Sequence, residues 1–178
     1  MIDRGLRLST PRLTLRPFEP ADAPRLVEIQ SNWNVTRMLR LAPWPPTPEA
    51  MVDWVDIHGK EWRAGAAYRF ACVMEGEVIG CADIDAIASG GAELGYFFDE
   101  AHWGKGLARE AAGAVRDFAF RTIGLDHLIA GHAAENPASG RVLLALGFRH
   151  AGDTMKSSKP HGGRDVAYRL YRLEKAWP

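Results

Sequence analysis

Two glycines one residue apart, Gly104 and Gly106, stand between a strand-like segment and a helical one, and no other stretch constrains the chain as tightly. The strand-like segment is Glu93-Leu94-Gly95-Tyr96-Phe97-Phe98. The helical pattern runs from Leu107 to about Phe120 and places Ala111, Val115, Phe118 and Ala119 on one face. Glycines at this junction let several backbone N–H groups point into one small volume. The first turn of a helix adds unpaired donors and the positive end of its dipole. Such a volume suits a phosphate or diphosphate.

The rest of the chain alternates strands and helices. Arg12–Arg16 alternates polar and apolar residues and is predicted as a first strand. Asp22 is placed to cap a short helix from Ala23 to about Ser31, with Pro24 in its first turn. Leu41–Pro46 is a stiff loop. Thr47-Pro48-Glu49 opens a helix to about Arg63, on which Met51, Trp54, Val55 and Trp62 form the apolar face. Tyr68–Met74 and Glu77–Ile87, joined at Glu75-Gly76, form a hairpin. Ser89-Gly90-Gly91 turns into the strand Glu93–Phe98. His127–Ala133 is another strand, and Asn136-Pro137 opens a helix ended by Gly147. Arg149–Met155 and Val166–Leu173 are final strands joined by a hydrophilic loop over 157–163. This order predicts one domain over 1–178, an α/β (α+β) mixed sheet flanked by helices.

Bulk properties exclude several classes. The 22 Lys and Arg residues balance 22 Asp and Glu residues, so no net field favours nucleic acid or an anionic membrane. The apolar runs are too short to span a bilayer, and the N-terminal residues lack a signal-peptide pattern. Cys72 and Cys81 read as buried reduced thiols of a cytoplasmic protein. A two-residue turn at Glu75-Gly76 would set Cys72 opposite Ile79 rather than Cys81. Six scattered histidines give no metal-ligand spacing, so no metal is expected.

With these pieces in hand, the chain resembles the GNAT superfamily of acetyl-CoA-dependent N-acetyltransferases, and within it the RimJ/RimL-like group. The resemblance rests on Thr10–Pro17, Glu93-Leu94-Gly95-Tyr96, Trp103-Gly104-Lys105-Gly106-Leu107-Ala108, Glu135-Asn136-Pro137-Ala138-Ser139 and Leu146-Gly147-Phe148, in family order. It implies a mostly antiparallel sheet of about seven strands, with a splay between the strands 93–98 and 127–133. It implies acetyl-CoA as cosubstrate and a primary amine as acceptor, either a small molecule or a protein N-terminus. The family includes homodimers, so that assembly is allowed.

The resemblance also assigns roles. Trp103, Gly104, Lys105, Gly106, Leu107 and Ala108 would hold the diphosphate, mostly through main-chain N–H groups. Tyr96, Phe97 and Phe98 would pair with the pantetheine arm, and the N–H of Phe97 or Phe98 would polarise the acetyl carbonyl. Asn136 would contact the arm or cap its helix, and Ser139 would protonate the leaving sulfur. Glu93 is the first choice of base. Alternation sets it with Gly95 and Phe97 on one face, opposite Leu94, Tyr96 and Phe98. His132, Glu135 and water are the other choices. Trp33, Trp44 and Tyr68 are expected to line the acceptor pocket, with the 157–163 loop bordering it and Trp54 in the core.

Two other classes are weighed against this one. A nucleotide-binding phosphate loop fails because no hydroxyl follows Lys105, and the dinucleotide fingerprint fails because its third glycine falls on Arg109. A non-catalytic acyl-CoA-binding or sensing module is the alternative to an enzyme.

Overall fold

The computed structural model describes residues 2–175. Eight strands form one sheet in the order β1-β2-β3-β4-β5-β6-β8-β7. They are β1 Leu8–Ser9, β2 Thr14–Pro17, β3 Tyr68–Met74, β4 Glu77–Ala88, β5 Gly91–Phe98, β6 His127–Ala133, β7 Arg149–Ser158 and β8 Arg164–Glu174. The α-helices are α1 Ala23–Gln30, α2 Trp33–Thr36, α3 Pro48–Ala64, α4 Leu107–Phe118 and α5 Pro137–Ala145. The sheet has one strand more than expected because the short β1 pairs Leu8 with Leu15 and Ser9 with Thr14.

All adjacent strands run antiparallel except β5 and β6. That parallel pair is short. It joins Gly91 to His127, Ala92 to Leu128 and Glu93 to Ile129, and then ends. Beyond this rung β5 stays paired to β4 as far as Phe98. On its other side β6 stays paired to β8 as far as Ala133. Two halves of the sheet therefore diverge, each held by its own ladder.

Side-chain alternation divides the core between the two faces. On one face Phe70, Ile84, Leu94 and Phe98 meet Leu107, Ala111, Val115 and Phe118 of α4. That helical stripe has the spacing read from the sequence. On the other face Ala71, Val78 and Cys81 meet Leu26 of α1 and Met51 and Val55 of α3.

The β3–β4 hairpin carries a bulge that alters this division. Val73 pairs with Val78 but Cys72 pairs with Gly80, which leaves Ile79 as an extra residue on β4. The expected facing of Cys72 and Ile79 is thus replaced by a register shifted by one residue. Cys81 pairs with Ala71, and both cysteines are free and buried. Past the bulge, Arg69 and Asp83 stand opposite each other. Without it Asp83 would oppose Tyr68 and share that residue's core-facing side.

Helix starts follow the local sequence, with one exception. The Thr47 hydroxyl accepts from Ala50 N–H at 3.2 Å, and Asn136 Oδ1 accepts from Ser139 N–H at 3.2 Å. Asp22 does not cap α1 with its side chain. Its carboxylate instead takes two bonds from Arg16, each 2.7 Å, and one from Glu19 N–H at 2.8 Å. The bidentate cation outcompetes a neutral amide for a buried carboxylate.

His58 on α3 is buried against Phe18 and Trp54, and its Nδ1 has no hydrogen-bond partner. Burial, then the charges of Arg69 and Arg4, push its pKa down to about 3. In the unfolded chain it titrates near 6.5. Below that pH the unfolded state binds a proton that the folded state refuses. The stability present above pH 6.5 is therefore lost as the pH falls toward 3. Replacing His58→Leu removes this loss. Relative to the wild type, the variant is expected to gain about 2 kcal/mol between pH 7 and pH 5, measured by urea unfolding at both values.

Candidate functional site

The gap between β5 and β6 opens into a cavity of about 660 Å³. Its floor is the free edge of β5. Asp99 N–H donates to Ile79 O at 2.9 Å, which fixes the phase of the β4–β5 ladder. By antiparallel alternation the N–H of Phe97 turns toward β4, and those of Tyr96 and Phe98 turn into the gap. Phe98 O, on that same open side, accepts from Trp103 Nε1 at 2.8 Å. The main-chain donor expected at Phe97 or Phe98 is therefore that of Phe98. Phe97 contributes its ring to the wall, near Trp54.

One end of the gap leads to the glycine turn. Gly104 and Gly106 have φ of 73° and 77°, a left-handed region in which a side chain would be strained. A Cβ at Gly104 would meet nothing within 4 Å, so the turn borders open space. Gly106 is the N-cap of α4 and offers no side-chain cap, which leaves the N–H groups of the first turn free for a ligand. The residues present therefore fit a diphosphate. Lys105 is exposed and stands outside the cavity wall.

A brace that the sequence reading missed holds this turn. Arg12, in the loop between β1 and β2, donates through Nη1 to Lys105 O at 2.8 Å and through Nε to Glu110 Oε2 at 2.7 Å. Glu110 also accepts from Thr10 Oγ1 at 2.6 Å and from Arg12 N–H at 2.9 Å. Burial pushes the Glu110 carboxyl up, but the bonds from Thr10 and Arg12 outweigh it and hold the pKa below its ordinary value. The only sequence signal for this was Thr10-Pro11-Arg12 itself, with its partner 98 residues away.

Across the gap from that turn, at the same open end, α5 begins just after β6. Its Ser139 Oγ lies 2.8 Å from the Tyr96 hydroxyl, which also donates to Ser139 O at 3.1 Å. Burial raises the Tyr96 pKa to about 12, so its hydroxyl stays protonated at neutral pH. Asn136 caps the helix and borders the cavity. His132 is buried with both ring nitrogens engaged, Nδ1 at 2.8 Å from Ala133 O and Nε2 at 3.3 Å from Tyr171 Oη. Desolvation lowers its pKa and outweighs the Ala133 bond, which raises it. Glu135 is exposed, pairs with Arg37 at 3.1 Å and is not among the cavity-lining residues.

Charged groups line the third wall. Glu93 sits at the last paired rung between β5 and β6. Asp83 and Asp85 of β4 stand opposite Gly95 and Glu93. Arg69 Nη2 reaches Asp85 at 2.8 Å, Arg69 Nε lies 3.5 Å from Asp83, and Nη1 bonds Glu61 of α3. Burial, then the charge of Asp85, pushes the Asp83 carboxyl up to about 7, while Arg69 pulls it down. Asp83 escaped the sequence reading. The available signal was the alternation of Cys81, Asp83 and Asp85, but its face depends on the bulge.

The expected pocket aromatics lie elsewhere. Tyr68 is buried in the core, edge-on to Trp62 and Phe118. Trp33 and Trp44 pack against each other at 4.8 Å, and Trp33 lies 5.5 Å from His161. Neither is among the residues that line the cavity, whereas the segment 38–43 is. The turn between β7 and β8 is tied to that segment by Lys159 N–H donating to Arg40 O at 2.9 Å. Trp54, expected in the core, lines the cavity as well.

Comparison with known proteins adds the family. Residues 12–149 match the acetyltransferase (GNAT) domain. The chain is 34% identical over 172 residues to an uncharacterized N-acetyltransferase, p20, of Bacillus licheniformis, covering 94% of this chain and 96% of that one. It is 28% identical over 159 residues to the [ribosomal protein uS5]-alanine N-acetyltransferase of Escherichia coli, covering 83% and 80%. The solved structure of RimL, a ribosomal L7/L12 alpha-N-protein acetyltransferase in complex with coenzyme A, has the same fold, with a TM-score of 0.83 at 20% identity over 95% of this chain and 98% of that one.

The brace at the glycine turn yields a direct expectation. Glu110→Ala removes the acceptor for Thr10 and Arg12 together. Unfolding free energy in urea should fall by about 1–2 kcal/mol, the exposure of Arg12 keeping the loss modest.

Proposed function

The chain belongs to the GNAT acetyltransferase family and is an N-acetyltransferase, and from that premise we propose that it moves the acetyl group of acetyl-CoA to a primary amine by direct attack within the cavity between β5 and β6. The acceptor is the amine of a small molecule or of a protein N-terminus. The observation that carries this reading is the free edge of β5, which runs from the glycine turn to the Tyr96–Ser139 pair.

Each part has a physical role. The main-chain N–H groups from Trp103 to Ala108 take the diphosphate at the helix N-terminus. The pantetheine arm lies along β5 and pairs with Tyr96 and Phe98 as an added strand would. Asn136 borders the arm while capping α5. Negative charge that grows on the thioester oxygen is met by the Phe98 N–H, a donor held in place by the β4 ladder; such a donor is typically worth about 10²–10³ in rate. Ser139 gives its proton to the departing sulfur, and the Tyr96 hydroxyl, 2.8 Å away, re-supplies it. Glu93, on the same face as Asp83 and Asp85, adds negative charge that draws a cationic amine into the cavity. The Tyr96–Ser139 pair favours this reading over passive binding of acyl-CoA, which has no use for a proton donor at the gap.

Two variants test the assignment. Ser139→Ala should lower turnover by about 10²-fold with acetyl-CoA affinity retained, measured by CoA release against a panel of amines under chemistry-limited conditions. Unchanged turnover removes Ser139 from the role. Gly106→Val forces a branched side chain into a left-handed backbone at the clasp. Calorimetry should then detect no acetyl-CoA binding by a folded variant, and a wild-type affinity would count against the whole placement.

A further inference from the structure

A carboxylate outside the roles just described occupies the acceptor side of the cavity. Resting on the acetyltransferase reading above, we propose that Asp83 is the catalytic residue that accepts the proton of the incoming ammonium, and that Arg69 is the residue that positions it.

The placement comes from two registers. The β4–β5 ladder sets Asp83 opposite Gly95, the residue before Tyr96. A Cβ at Gly95 would lie 2.6 Å from Asp83 Oδ1, so the carboxylate fills the space that a side chain on β5 would take. It thus overlies the backbone next to the Tyr96–Phe98 stretch, where the acetyl group would be held. The β3–β4 ladder sets Arg69 opposite Asp83 on the other side. Arg69 spends its closer contacts on Glu61 and Asp85, and lies 3.5 Å from Asp83 Oδ2. Asp83 is therefore oriented without being fully neutralised. By contrast Glu93 sits at the closed end of the gap, at the last rung shared with Ile129.

The electrostatics agree with the geometry. The groups that act on Asp83 are Arg69 on β3, Cys81 and Asp85 on β4 and Glu93 on β5, and Cys72 on β3 feels its charge in turn. Glu61 and His58 on α3 face Arg69, and Tyr168 on β8 faces Glu93 across the gap. Arg69 is the cation in contact with three carboxylates, Glu61, Asp83 and Asp85. An ammonium is thereby attracted and a lone extra negative charge is disfavoured. With its side chain 16% exposed, Asp83 is poorly hydrated. A carboxyl lifted to about 7 takes a proton near neutral pH and gives it up again.

The step balances without any further reactant. One N–H bond of the ammonium breaks and its proton passes to Asp83, which frees the nitrogen lone pair. The N–C bond to the thioester carbonyl forms, the C–S bond breaks and its electron pair leaves on sulfur. Sulfur takes a proton from Ser139, which the second proton lost by nitrogen makes good through Tyr96. Asp83 returns its proton to water once the amide departs. The sum is ammonium plus thioester to amide, thiol and one proton.

Asp83→Asn keeps the shape and removes the base. Two probe acceptors are used, an alanine-initiated peptide and a primary alkylamine, with kcat followed against pH in the full chain. In the wild type the acid limb should fall near pH 7 for both probes. In Asp83→Asn the rate at pH 7 should drop by about 10²-fold, and the limb should move to each amine's own ionisation, about 8 and about 10. Arg69→Gln should shift the wild-type limb upward, which a merely structural role would not do. Carboxyl ¹³C NMR of the wild type should show one aspartate titrating near 7 that is missing from Asp83→Asn. A variant within about threefold of the wild type at pH 7, or no aspartate above the ordinary range near 4, overturns the proposal. Acetyl-CoA affinity separates the two readings: normal affinity with unchanged rates removes Asp83 alone, whereas a wild type that binds no acetyl-CoA removes the donor reading beneath it.

Discussion

Backbone amides in a sheet must find partners, and this fold withholds them at one place. After the rung between Glu93 and Ile129, β5 and β6 each keep a ladder on the far side and none between them. The donors of β5 that face the gap are left for something that can pair as a strand does. The glycine turn, the start of α5 and the acidic wall all stand where they do because the two halves of the sheet separate here. A longer parallel ladder would close the cavity and bury that edge.

Keeping such an opening requires rigid sides. On one flank Arg12 and Glu110 lock the first turn of α4 to the loop between β1 and β2. On the other, Tyr168 donates to Gly131 O at 2.9 Å, with its ring where a Cβ on Gly131 would fall. Arg69 joins β3, β4 and α3 through three carboxylates. These contacts lie around the gap rather than across it. The Tyr96–Ser139 pair is a contact that spans it, and it links the floor of the cavity to the helix that follows β6.

Local chemistry explains what was legible in the residues. Glycine at positive φ, proline at N1, a hydroxyl or amide at an N-cap and an apolar stripe on α4 each act over a few residues, and each produced the element expected. The proposed donor side could be named from the sequence for the same reason, since Trp103–Ala108 and Asn136–Ser139 are continuous segments. The acceptor side was not. Tyr68, Trp33 and Trp44 were assigned by residue type, but Tyr68 packs in the core and the two tryptophans pack on each other outside the cavity lining. Trp54 lines it instead, because α3 covers the face that carries Phe97.

The sequence by itself determined seven of the eight strands, the four longer helices, their order and the glycine turn, because propensity, capping and periodicity are short-range. Tertiary structure alone decided which way the β4 side chains face relative to β3 past the bulge. One extra residue on β4, Ile79, shifts the ladder with β3 so that Asp83 meets Arg69 at the cavity instead of facing the core with Tyr68. Strand side chains alternate with a period of two, so a slip of one residue reverses their direction, and a slip of that size depends on pairing between strands rather than on any run of residues.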